Sequence, residues 1–267
     1  MFLPRCSNGI LGSPSPCQTE DLIPVVDQEL PERAAAKEIE NIYSRRFSHR
    51  RYDFLDDVSI FGNQTDEREF LHLMKRYSML PLNNKLILDV GTGGGFFLRS
   101  LLKYGIHSSR LFGIDFWEAR VQDGHTIAPC LPLICGTAEM LPFRDDSFDL
   151  VVQRTMFSSI LHAEKRLQAA REMLRVVRPG GIIVSHDFRI KRPGDRDVCS
   201  ITAAELRRLF RSAELALFTA GMPPQLERML APRSFLACQF LSTIWPSPLR
   251  CFYWAIARKV TIGRKKV

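Results

Sequence analysis

Between residues 85 and 220, apolar runs and helix-spaced polar segments alternate. "KLILDV" (85–90) is an apolar run with an acid near its end. "GFFLRSLLKYG" (95–105) follows at helical spacing, closed by Gly105 as a cap. "LFGID" (111–115), "LPLICG" (131–136), "FDLVVQ" (148–153) and "IIVSHDF" (182–188) read as further strands. Between them "FWEARVQDGHTI" (116–127), "AEKRLQAAREMLRVV" (163–177) and, later, "TAAELRRLFR" (202–211) read as helices. In the second of these, Leu167, Ala170, Met173, Leu174 and Val177 line one face. "TAEMLPFRDDS" (137–147) reads as a loop and "RPGG" (178–181) as a turn. "AELALFTA" (213–220), a Pro-rich helical segment and "CFYWAIARK" (251–259) complete the pattern. This alternation predicts an α/β fold. Its seven strands form a mostly parallel sheet, joined by right-handed crossovers with helices on both faces. The last two strands are separated by only a short insert and can pair antiparallel at the edge.

Upstream the pattern differs. Residues 34–82 read as helical and charged, with a helix start at Thr65, backed by Glu67 and Arg68. Phe70, Leu73, Met74 and Tyr77 give that helix one apolar face. Residues 1–33 carry five prolines and few large apolar residues in sequence, which predicts a disordered tail. The expected organisation is that tail, an N-terminal helical lid (34–84), a core (85–259) and a basic tail (260–267).

Composition narrows the picture little. The chain has 267 residues, 45% hydrophobic and 25% charged, enough for one sizeable core. A net charge of +8 favours anionic partners, yet the basic residues are scattered and read as solvated faces and tails. No nucleic-acid partner is expected. The seven cysteines are scattered, with no C-x-x-C pair, which reads as reduced, cytoplasmic usage without a metal site. The N-terminus has no long apolar run of the secretory kind. No run reaches the roughly 18 apolar residues of a membrane span. "SFLACQFLSTIWPSPL" comes nearest and is broken by Pro246 and Pro248.

The chemistry sits at the first strand–helix junction. Gly91, Gly93 and Gly95 let the backbone approach a ligand closely. Asp115 ends the second strand about 20 residues on, where a ribose is held in nucleotide-binding βαβ units. Position 96 is Phe, so the glycine spacing is wrong for G-x-G-x-x-G, and no G-K-[ST] follows. Asp89 before the turn is poor company for a pyrophosphate and suits a ligand with positive charge.

These residues resemble the class I S-adenosylmethionine-dependent methyltransferases. "LDVGTGGG" is similar to their first motif, D-x-G-x-G-x-G, and "FGIDFWEARV" to the second-strand motif. "CGTAEMLPFRDDSFDLVV" and "LRVVRPGGIIVSHDF" resemble blocks of the small-molecule branch that includes ubiquinone- and menaquinone-type methyltransferases. "QRTMFSSIL", "DFRIKRPGDRDV" and "MLAPRSFLAC" look like a bacterial subgroup linked to sugar or secondary-metabolite tailoring.

The resemblance implies a Rossmann-like fold with S-adenosylmethionine as cofactor. Asp89, Gly91, Thr92, Gly93 and Gly95 would hold its methionine end. Asp115 would take the ribose hydroxyls, and Phe116 and Trp117 would flank the adenine. Thr137, Ala138 and Glu139 would meet the adenine edge, with Thr137 standing where the family usually has Asp. Gln153 would lie under the sulfonium. Acceptor groups are expected at the ends of the fourth and fifth strands: Asp187, in preference to His186, and His162 as catalytic groups, and Arg154 as a substrate-binding group. Tyr43 and Arg46, by position, would cover the site. The implied reaction is methylation of a small molecule at an oxygen of a sugar or secondary metabolite. The alternatives are carbon methylation of a quinone-type lipid, with weak membrane-surface contact, and a non-catalytic cofactor-binding subunit.

Overall fold

The computed structural model describes residues 56–190 and 197–260. Seven strands form one sheet: β1 (Ile87–Val90), β2 (Leu111–Asp115), β3 (Leu133–Cys135), β4 (Phe148–Arg154), β5 (Val177–Phe188), β6 (Ala213–Ala220) and β7 (Phe252–Lys259). Their order is β3-β2-β1-β4-β5-β7-β6. The first five pair in parallel. β7 inserts antiparallel between β5 and β6. The chain steps outward from β1 to β3, then returns to the other side of β1 with β4. The carboxyl ends of β1 and β4 therefore bound a crevice, the usual ligand position in such sheets.

Eight helices complete the described fold: α1 (Asp57–Arg76), α2 (Phe96–Leu102), α3 (Glu118–Ile127), α4 (Met156–Ser159), α5 (Ala163–Val176), α6 (Ala203–Leu209), α7 (Pro224–Leu230) and α8 (Phe235–Ile244). The sheet is covered on both faces, which is why its central strands are continuously apolar. On one face Ile87, Leu150, Val152, Val184 and Ile256 pack with Phe70, Leu73 and Met74 of α1 and Leu98 and Leu101 of α2. On the other, Leu88, Val90, Val151 and Ile183 pack with Ala169, Ala170 and Met173 of α5.

Several expectations shift. The upstream helix starts at Asp57, not Thr65. Asp56 caps it, its carboxylate accepting from the backbone N–H groups of Val58 and Ser59 at 2.9 and 3.0 Å. Thr65 lies mid-helix, so the half-buried acids behind it are not a first turn. α1 is no detached lid: its apolar face is built into the core, each buried Phe, Leu or Met contributing about 1.5–3 kcal/mol. Residues 178–181 do turn, as a bulge within β5 exposed at 178–180: Val177 pairs with Phe148, and pairing resumes at Ile182 and Leu150. Val177 therefore belongs to the strand. The buried face of α5 is Arg166, Ala169, Ala170, Met173 and Val176, with Leu167 and Leu174 half-buried at its margin. Residues 1–33 and 261–267, with Tyr43 and Arg46, lie outside the described residues.

Candidate functional site

The turn after β1 folds back on the end of β2. The N–H groups of Gly91 and Thr92 donate to the Ile114 carbonyl at 2.8 and 3.1 Å. The N–H of Gly93 donates to Asp115 Oδ2 at 2.8 Å, and the N–H of Trp117 to Oδ1 at 3.0 Å. Asp115 thus ties the turn to the start of α3. Gly91 has φ +77°, and a Cβ there would lie 2.9 Å from Cβ of Met156, so only glycine fits. Burial raises the Asp115 carboxyl above the usual range, opposed by the Trp117 and Gly93 N–H groups and by Arg120.

Asp89 is buried at the carboxyl end of β1. Burial pushes its carboxyl up to about 6; the nearby Thr92 hydroxyl and Arg154 pull it down, and Asp115 pushes it further up. The Thr92 Oγ1 is buried too, with the Asp89 carboxyl as the polar group beside it. Thr92 and Asp89 are thus matched to a ligand's polar atoms. Two arginines flank the turn. Arg99 donates to the Gly94 carbonyl, and the Arg120 guanidinium lies 3.3 Å from where a Gly93 Cβ would stand.

The ends of β4 and β5 carry a second group, on the α1 side. Arg154 pairs with Asp66 of α1 at 2.7 Å and lies over the Phe97 ring at 5.4 Å. His186 stacks on Trp254 at 4.1 Å and on Phe252 at 5.0 Å. Its Nδ1 lies 3.8 Å from Asp66, while its buried Nε2 has no partner. Burial pushes His186 down to about 4, so the imidazole is neutral at ordinary pH; Asp66 acts upward and Arg154 downward. Glu69, one turn along α1, accepts from Trp254 Nε1 at 2.7 Å, and burial raises its carboxyl.

The opposite face of the same strand ends is closed. Gln153 Nε2 donates to Ser185 Oγ at 2.5 Å and to Asp187 Oδ2 at 3.0 Å. Its Oε1 accepts from the N–H groups of Met156 and Phe157 at 2.9 and 3.4 Å. Asp187 Oδ1 accepts from the N–H groups of Ser158 and Phe188 at 3.1 and 3.2 Å. Both side chains are fully buried. Gln153 has spent its hydrogen-bonding capacity on protein. Expected under a sulfonium, it instead fixes α4. Asp187, expected as a catalytic acid or base, is a brace for the same turn. The brace holds a strained link: Thr155, between β4 and α4, has φ 59° without being glycine.

The remaining candidates are spread around this centre. Phe116 and Trp117 are half-buried between β2 and α3. Thr137, Ala138 and Glu139 are half-buried after β3, where the Gly136 N–H donates to the Asp115 carbonyl at 2.9 Å. His162 is exposed at the N-cap of α5. The fold thus brings Asp89, Thr92, Asp115, Arg154 and His186 to one end of the sheet and leaves His162 at the surface. Asp66, Glu69 and Trp254 went unpredicted. The two acids sit in a charged helical run that reads as solvent-facing, and the tryptophan lies in the last strand.

Residues 88–185 match the family model described as a methyltransferase domain. The ubiquinone/menaquinone biosynthesis C-methyltransferase of Geotalea daltonii is 34% identical over 148 residues, covering 53% of this chain and 60% of that protein. The malonyl-[acyl-carrier protein] O-methyltransferase of Halorhodospira halophila is 28% identical over 151 residues, covering 54% and 48%. The chain spans little more than half the length of the curated relatives it matches. The crystal structure of the PH0226 protein from Pyrococcus horikoshii shares the fold, with a TM-score of 0.53, 16% identity and coverage of 79% of this chain and 98% of that one. A glycine turn bonded to the acid of β2, in a sheet with its seventh strand reversed, frames residues 88–185, the part of this chain that matches a methyltransferase domain.

Proposed function

We propose that this chain transfers a methyl group from S-adenosylmethionine to a hydroxyl of a small molecule, of the sugar or secondary-metabolite kind. The residues present fit the cofactor: a buried hydroxyl on Thr92, a buried acid on Asp89 and a second on Asp115 share one cleft end. Asp89 would meet the ammonium, and Arg99 and Arg120 the carboxylate, of its amino-acid end. Asp115 keeps lone pairs for the ribose hydroxyls, and Phe116 and Trp117 would border the adenine, with Thr137, Ala138 and Glu139 at its edge. Bound there, the cofactor supplies a methyl group already activated by a sulfonium. The protein's task is then alignment and exclusion of water.

The observation that carries the acceptor half is His186. With its proton on Nδ1 toward Asp66, the unpartnered Nε2 is a hydrogen-bond acceptor, suited to orienting the hydroxyl that is methylated, although burial makes it a weak base. Arg154 and the Trp254 ring would orient that acceptor. A mass-spectrometric screen of sugars and phenolic metabolites should find one that gains a methyl ether. On that acceptor His186→Phe, which preserves the stack, should lower kcat about 100-fold with cofactor affinity unchanged. A methyl group on carbon, or full activity in His186→Phe, would refute the reading. Carbon methylation of a quinone-type lipid is the second reading, favoured by the Geotalea relative, a ubiquinone/menaquinone biosynthesis C-methyltransferase.

The Asp89 assignment predicts a pH dependence. A cation binds the ionised carboxyl, and in the free protein that carboxyl is protonated below about 6. Affinity for S-adenosylhomocysteine should be level above that pH and fall about tenfold per unit below it. Arg154, Asp115 and the Thr92 hydroxyl face the same carboxyl and stay in place, so Asp89→Asn should flatten the profile and lower affinity at neutral pH. Titration calorimetry across the range measures both, and a flat wild-type profile would remove Asp89 from the ammonium contact.

A further inference from the structure

α8 has no charged residue, and both of its faces are apolar. Cys238, Leu241 and Trp245 pack inward with Phe61 of α1 and Met222. Leu236, Phe240 and Ile244, four residues apart, form a straight stripe on the outer face, 84%, 65% and 58% exposed. Leu249, just past the helix, is 53% exposed and extends the stripe. A continuous exposed stripe of this kind marks a contact surface.

The charges around the stripe are of one sign. Between residues 221 and 250 the chain carries Arg228, Arg233 and Arg250 against the single acid Glu227. Arg233 is exposed at the helix start and donates to the Met229 carbonyl. At the far end Arg189 donates to the carbonyls of Ser247 and Pro248, each at 3.0 Å, and Arg250 to that of Trp245 at 3.2 Å. Carbonyl oxygens orient these guanidinium groups, and the Glu69 carboxylate also acts on Arg250. The stripe is therefore bracketed by cations at both ends, on a chain of net charge +8. No described helix is long and apolar enough to cross a membrane.

We infer that the outer face of α8 is a docking surface for an anionic phospholipid bilayer. The Leu236–Phe240–Ile244 stripe enters the acyl boundary, and Arg189, Arg233 and Arg250 meet the headgroups. A helix of ten residues lying in the interface buries its apolar side without spanning the membrane. This surface stands whatever the methyl acceptor is.

The test is sedimentation of the full chain with vesicles of phosphatidylcholine and phosphatidylglycerol, with pure phosphatidylcholine vesicles as comparison. Binding should favour the anionic vesicles and weaken with added salt. Leu236→Glu combined with Phe240→Glu removes two buried apolar side chains from the contact and should reduce partitioning at least about tenfold. Both positions are exposed, so circular dichroism should be unchanged. Ile127→Glu, at an exposed position at the end of α3, should bind as the wild type does. Failure of the wild type to sediment, or undiminished sedimentation of the double variant, would overturn the proposal. So would sedimentation equilibrium showing a dimer that the double variant dissolves, since the stripe would then cover a second copy of the chain.

Discussion

Replacing Asp115 with alanine is expected to weaken S-adenosylhomocysteine binding by about 10- to 150-fold, a loss of about 1.5–3 kcal/mol. Two effects combine. The carboxylate can no longer accept from ribose hydroxyls, a charge-assisted contact. It also releases the Gly93 and Trp117 N–H groups, which it holds at 2.8 and 3.0 Å, so the turn and the start of α3 lose their common tie. The second effect places the loss toward the upper end of the range. Asp115→Asn separates the two. Its one remaining carbonyl oxygen can hold one N–H, while its NH2 must face the other, so part of the turn survives and the charge does not. Calorimetry should rank affinity as wild type, then Asn, then Ala. Undiminished affinity in the alanine variant would sink the ribose assignment.

The parallel half of the fold was legible because burial on both sheet faces forces continuous apolar runs, and each is followed by a helix that must cross back. The placement of β7 between β5 and β6 was not. Both late strands are apolar enough to pair with either neighbour, and strand order is a non-local property. The start of α1 was misread because Thr65 stands ahead of acidic residues as a cap would. Asp56, the actual cap, lies in an acidic run with no local feature to single it out. In the site, Asp89 and Asp115 were legible through the glycines between them. Asp66 and Glu69 were not, since their partners Arg154 and Trp254 lie 88 and 185 residues away. The contrast between His186 and Asp187 was half legible. Strand alternation puts them on opposite faces, but only packing shows which of the two has its hydrogen bonds filled. The order is the reverse of the sequence preference: Asp187 is enclosed by hydrogen bonds, and His186 keeps a nitrogen without a partner.

That reversal makes Asp187 the most informative position for stability. Asp187→Ala leaves three buried donors short of an acceptor: the N–H groups of Ser158 and Phe188 and the Gln153 amide. At about 1–3 kcal/mol for each such group, partly offset by no longer burying a carboxylate, the net loss should be about 3 kcal/mol. The loss should also depend on pH. Burial raises this carboxyl from the ordinary aspartate range to about 6, against the opposing hydrogen bonds from Ser158 and Gln153. An acid whose folded value is raised takes up its proton more readily in the native state. Its contribution is therefore fully present below about 4 and is lost as pH rises through about 6. Asp89 contributes in the same direction, and His186, lowered to about 4, in the opposite one, but both are common to wild type and variant. The difference between wild type and Asp187→Ala should hence be larger near pH 4 than near pH 7, as urea unfolding at the two values would measure. Asp187→Asn, which keeps an oxygen toward Ser158 and Phe188, should fall between them. A catalytic base would behave otherwise: the asparagine variant would keep the wild-type unfolding midpoint and lose its turnover. A brace requires that the midpoint fall while kcat, measured well below that midpoint, is largely retained.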